Sequence, residues 1–166
     1  MRTLLTVLVL AALASPATAQ DRLGEMGFEV TSPSGGTAGD FCWGFDCVPR
    51  PLAVRAGESL RLTVRAPHGA PFVVVFSTAA TSCLRIPGVW NQLVVDPPLI
   101  SVIAGRIDLL NQTRVCYDGY AARTLTLPAT LPSGFRFALQ AVAAIGTPPR
   151  PATGFGMSSA VLMTLR

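Results

Sequence analysis

The chain has 166 residues, half of them hydrophobic and 13% charged, with a formal net charge of +4. That balance excludes intrinsic disorder, and the total absence of lysine removes the phosphate-binding P-loop, pyridoxal Schiff-base chemistry and every Ser–Lys mechanism. All thirteen basic residues are arginines spread along the chain, so no block of positive charge marks a nucleic-acid surface. Exposed strand arginines such as Arg61 and Arg65 read more simply as solubilising, edge-protecting charges. An all-arginine basic set beside abundant Ala, Gly and Pro fits the coding bias of a GC-rich bacterial genome.

In chain order, Arg2, the apolar run Leu4 to Leu13 and the triplet Ala17-Thr18-Ala19 before Gln20 read as a secretory signal peptide over residues 1–19. No cysteine sits immediately after the cleavage site, which argues against a lipid-anchored form. No later stretch reaches the roughly 18 consecutive apolar residues of a spanning helix. The expected product is one secreted domain, residues 20–166, extracellular or periplasmic, with no membrane insertion after cleavage. A chain of that size buries about 68–70% of its unfolded surface, enough for a genuine core.

Met26 to Thr31 alternates apolar and polar residues and predicts a first strand. Ser32 to Asp40 predicts a flexible connection into the loop CWGFDC, and Leu52 to Arg55 a short edge strand. The stretch SLRLTVRAPHGAPFVVVFST, Ser59 to Thr78, is the centre of the predicted domain. Leu60, Leu62 and Val64 alternate with Arg61, Thr63 and Arg65, which predicts a strand with one dry and one wet face. Phe72 to Phe76 is continuously apolar, as in a strand buried on both faces. Pro67-His68-Gly69-Ala70-Pro71 supplies turn chemistry, so the two are expected as a hairpin.

Thr78 to Trp90 is the least regular part. Leu93 to Val95, Leu99 to Ala104 and Ile107 to Leu110 are brief strand candidates, and Val115-Cys116-Tyr117 precedes the turn dipeptide Asp118-Gly119. Arg123 to Leu127 alternates again. Phe135, Phe137, Leu139 and Ala141 predict the inner row of a long strand, Gly146 to Gly154 a proline-stiffened loop, and Ser159 to Leu165 a closing strand with Val161, Met163 and Leu165 on one face. Eight to ten short strands without an amphipathic helix predict an all-β, two-layer antiparallel sandwich, immunoglobulin-like or jelly-roll.

Four cysteines, Cys42, Cys47, Cys83 and Cys116, all fall in the exported part, and an even count there reads as two disulfides with three possible connectivities. Cys42–Cys47 and Cys83–Cys116 are the expected pairs. A four-cysteine zinc site lacks its C-x2-C knuckles here.

The succession GESLRLTVRAPHGAPFVVVFS, RVCYDG, LTLPATLPSGFRFALQAVA and GFGMSSAVLMTL, over about Gly57 to Arg166, resembles a group of uncharacterised secreted β-sandwich proteins of planctomycetes and similar bacteria. The resemblance implies an extracellular β-sandwich of unknown activity and supplies no site residues.

His68 is the only histidine and sits at a turn, with no second histidine for a metal site. Gly156-Met157-Ser158-Ser159-Ala160 lacks the strand–helix context and the downstream histidine of a nucleophile elbow. A calcium site from Asp108 and Asp118 would lack the D-x-D-x-D-G loop. Asn111-Gln112-Thr113 is a glycosylation sequon that reads as an accident of composition. No cofactor or metal is implied. The aromatics Trp43, Phe45, Trp90, Tyr117 and Tyr120 fall at loops and strand ends, where they either stack on a ligand or cap the core. The expected function is a secreted, non-enzymatic structural or interaction module, its partner an extracellular polysaccharide or another surface protein. The alternative is a carbohydrate-binding module using those loop aromatics, and a third reading is an extracellular hydrolase.

Overall fold

The computed structural model describes residues 26–41, 45–111, 117–145 and 154–166. The signal-peptide reading, Cys42, Trp43, Cys116, most of the sequon and most of the Gly146 to Gly154 loop lie outside these residues. The described chain is all-β, with thirteen strands in order: β1 (Gly27–Ser32), β2 (Gly36–Asp40), β3 (Arg50–Val54), β4 (Ser59–Ala66), β5 (Pro71–Ser77), β6 (Leu84–Arg85), β7 (Val89–Trp90), β8 (Gln92–Leu93), β9 (Ile100–Arg106), β10 (Leu109–Leu110), β11 (Gly119–Thr126), β12 (Arg136–Ala144) and β13 (Phe155–Leu165).

Two sheets face each other, a five-stranded one ordered β10-β11-β4-β1-β2 and a six-stranded one ordered β3-β13-β12-β5-β9, with β7 added on β13. Pairing is antiparallel except where β3 and β7 run parallel to β13. Alternation places Phe28 and Val30, Leu60, Leu62 and Val64 in one wall of the core, and Val74, Leu139, Val161 and Met163 in the other. Phe76, Phe137 and Phe135 stack in series at ring distances of 5.5 and 6.0 Å. The predicted inward rows of β12 and β13 are thus found.

Two elements differ from the sequence reading. The Ser59 to Thr78 stretch is not a hairpin: β4 belongs to one sheet and β5 to the other, and Pro67 to Ala70 arches between them. The arch turns on Gly69 at φ 78°, and is laced to the β9–β10 crossover by Gly69 N–H to Ile107 O at 2.8 Å and Ile107 N–H to Ala70 O at 2.9 Å. Similarly, Ser32 to Asp40 is not slack but a tight turn and a strand, β2, registered on β1 from Ser32↔Gly36 to Phe28↔Asp40.

The Glu58 carboxylate ties that turn to the next one. It accepts from Ser32 Oγ, Ser34 N–H, Ser34 Oγ and Arg55 N–H at 2.8–3.0 Å. Burial pushes the Glu58 pKa up, but the Arg55 and Ser34 amides and the two serine hydroxyls outweigh it and hold it below the ordinary 4.5.

The irregular stretch after β5 makes a third layer. Thr78 to Asp96 leaves and rejoins the sheet at a neck where Asp96 N–H donates to Ala79 O at 3.0 Å, in the manner of an Ω-loop. Ser82 Oγ and the Thr81 hydroxyl and amide donate to the Asp96 carboxylate and hold its pKa down. Leu93, Val94 and Val95 from this flap bury Val75, Ala138, Met157 and Ala160 on the outer face of the six-stranded sheet.

A disulfide joins Cys47 to Cys83, with Cα atoms 5.4 Å apart. Both expected pairings are therefore corrected. Phe45 to Cys47 runs over the outer face of the six-stranded sheet, where Asp46 N–H reaches Ser159 Oγ. The flap brings Cys83 back to the same face, and that layering, not sequence proximity, decides the partner.

Candidate functional site

The outer faces of the two sheets are built on opposite plans. On the six-stranded sheet, a β-bulge in the β12–β13 pairing sets Ser158 and Ser159 opposite Ala141. Ser158 Oγ replaces a ladder partner, accepting from Ala141 N–H at 3.0 Å and donating to Ser159 O at 2.8 Å. Gln140 beside it is fully buried. Its Oε1 accepts from Val94 and Val95 N–H at 3.0 and 3.4 Å, and its Nε2 donates to Gln92 O and Ser158 O at 2.9 and 2.7 Å. One side-chain amide thereby satisfies the flap backbone that lies over the sheet. Asn91, at φ 64°, adds a bond from Nδ2 to Met157 O at 2.8 Å.

The five-stranded sheet carries no such layer among the described residues. Its inward row is apolar, so the alternate residues of β4, β1, β2 and β11 point outward. The register aligns them as rows across the strands: Thr37, Thr31, Arg61 and Thr124, then Gly39, Glu29, Thr63 and Ala122, with Ser59 beside Thr126 at one end. Four adjacent strands give the first row a span of roughly 14 Å at the usual strand spacing. The hydroxyls are paired laterally, Thr31 to Thr37 and Ser59 to Thr126, both at 3.0 Å.

At the other end of this face, Arg65 lies 3.7 Å from the Phe41 ring centroid and donates to Glu29 Oε2 at 2.9 Å, with Tyr120 as its cross-strand partner. Burial lowers the Arg65 pKa, the Glu29 carboxylate opposes that, and the guanidinium stays charged. Since β4 is flanked by β1 and β11, neither Arg61 nor Arg65 guards a sheet edge, which corrects that reading of them.

The loop aromatics do not form one platform. Phe45 packs into the flap layer, Trp90 packs against the main core from β7, and Tyr117 is buried in that core. Tyr120 is half-buried on the open face, and Trp43 is outside the described residues. Phe41, 44% exposed, lies outside the loop aromatics that the sequence suggests; its position one residue before CWGFDC is the available signal.

Of the other candidates, the His68 amide donates to Asp118 Oδ1 at 3.0 Å. Asp108 is paired with Arg123 at 2.8 Å, which holds its pKa down. The Ser158 hydroxyl is committed to backbone partners. Among the described residues no three His, Cys, Asp or Glu side chains converge as metal ligands, and no helix is long and apolar enough to cross a membrane.

Fold and surface together define an all-β sandwich with one sealed and one open sheet face. No family model and no curated protein matches the sequence. Among solved structures the chain is similar to a chitin binding domain from Burkholderia pseudomallei, at 14% identity and a TM-score of 0.38, over 75% of this chain and 58% of that one. At that distance the likeness carries no ligand across.

Proposed function

We propose that this protein is a secreted, non-enzymatic interaction module whose working surface is the open face of the five-stranded sheet, and whose partner is an extracellular polysaccharide. The single observation behind the reading is the in-register row Thr37, Thr31, Arg61 and Thr124, repeated by Glu29 and Thr63, on a face with no covering layer among the described residues. Small-molecule sites are concave and mostly apolar, whereas this surface is an open sheet face rich in hydroxyl groups, which suits an extended, hydroxylated chain. A protein partner calls for clustered apolar anchors; on this face Phe41, the half-buried Tyr120 and the exposed Leu109 across from it stand at one end, away from the row of hydroxyls. The N-terminal signal reading and the oxidised Cys47–Cys83 pair support export.

Affinity electrophoresis through gels containing soluble polysaccharides tests the proposal. The triple variant Thr31→Val/Thr63→Val/Thr124→Val removes three hydroxyls while keeping shape and β propensity. Retardation of the parent should disappear in that variant and persist in the flap variant Arg85→Ala. Retardation that survives the triple change, or is lost in Arg85→Ala, would remove the open face from consideration.

A further inference from the structure

We infer that the open face binds an anionic polysaccharide, not a neutral one, with Arg61 as the anion-reading residue. This rests on the open face being the working surface and adds the ligand's charge. Arg61 lies mid-strand in β4, with Thr31 directly across on β1 and Thr124 directly across on β11. It is exposed and, like Arg55, Arg85, Arg106, Arg136 and Arg166, has no carboxylate ion pair among the described residues, but it stands in the middle of the hydroxyl row on an interior strand.

Glu29, the carboxylate on this face, is engaged by Arg65. Arg65 in turn feels Arg61 as a like charge. Among the described residues the face therefore carries two guanidinium groups against one carboxylate, and the uncompensated one stands at its middle. Since β4 is an interior strand, edge protection does not account for that charge. A guanidinium presents a planar fork of donors that fits a carboxylate or a sulfate bidentately, and the flanking threonine hydroxyls can both donate to and accept from sugar hydroxyls. A row of this composition fits a uronate- or sulfate-bearing chain lying across the strands.

The test uses the full exported chain in gels containing polygalacturonate, dextran sulfate or neutral dextran, with Arg61→Gln and Arg61→Lys beside the parent and the triple threonine variant. Retardation is expected by polygalacturonate or dextran sulfate, the two arms telling carboxylate from sulfate, and not by dextran. Arg61→Gln should weaken it about tenfold or more, as for the loss of a charge-assisted pair. Arg61→Lys should recover part of the loss, and rising salt should weaken the parent's binding. Unchanged melting of both variants would confirm that folding is intact. Dextran binding as strong as the other two, untouched by Arg61→Gln but abolished in the triple variant, would overturn the anionic ligand while leaving the open face standing. Binding untouched by either change would overturn both.

Discussion

The two outer faces begin from the same alternating pattern and end with opposite fates. Behind β4 and β1 the outward residues are Arg, Thr, Glu and Ser, polar groups that no further layer of the described residues covers. Behind β5 and β12 the outward residues are Val73, Val75, Ala138 and Val142, which water would penalise, and a flap from the same chain covers them. The contrast teaches how one sandwich separates its tasks: one face is used for stability and the other is left for contact. Changes on the sealed face should therefore cost folding energy with little specific effect on binding, and changes on the open face the reverse.

The largest expected effect is at Gln140. Gln140→Leu strands the Val94 and Val95 amides and two carbonyls in a dry layer, and should cost about 4 kcal/mol in urea unfolding. Flap amides should lose exchange protection before those of β1 and β4. Next, Cys47→Ser/Cys83→Ser, which opens a loop with a sequence separation of 36, should cost about 3.8 kcal/mol in the chain-entropy account, with retention in polysaccharide gels intact. On the open face, Arg65→Met removes the Glu29 pair and the stack on Phe41 and should cost about 1 kcal/mol by the same measurement. Thr63→Val should change stability by less than about 0.5 kcal/mol while still weakening gel retention.

Acid separates the regions more gently. The folded pKa values of Glu58 and Asp96 lie below their ordinary 4.5 and 3.8, so the stability they contribute is full above those values and is lost as pH falls through the lower folded ones. A pH series of melting curves should show little change above about pH 5 and a decline below it. In Asp96→Asn protein that part of the acid dependence should vanish.

Much of this division was legible from residues alone. The alternation in SLRLTVRA announced a half-wet strand and FVVVF one dry on both faces, and both burial patterns are found. The same difference explains why β4 and β5 occupy separate sheets, yet periodicity reports burial and not partners, so a proline-bounded turn reads as a hairpin. The strand GTAGD was hidden because its glycines carry no alternating signal. Gln140 in FALQAVA looks like any polar outward residue, since nothing local reveals that Val94 and Val95, some forty-five residues away, bring their amides to it. The disulfide pairing was hidden for the same reason, because the flap that brings Cys83 to Cys47 is held by long-range contacts. The polar rows were visible as single threonines and arginines, but their adjacency across four strands depends on register, which only pairing supplies.

Backbone amide shifts on titration with a soluble oligogalacturonate test the central division most directly. The account predicts perturbations at Thr31, Arg61, Thr63 and Thr124 and silence from Leu84 to Val95. Shifts concentrated in the flap, with β1, β4 and β11 unmoved, would contradict it.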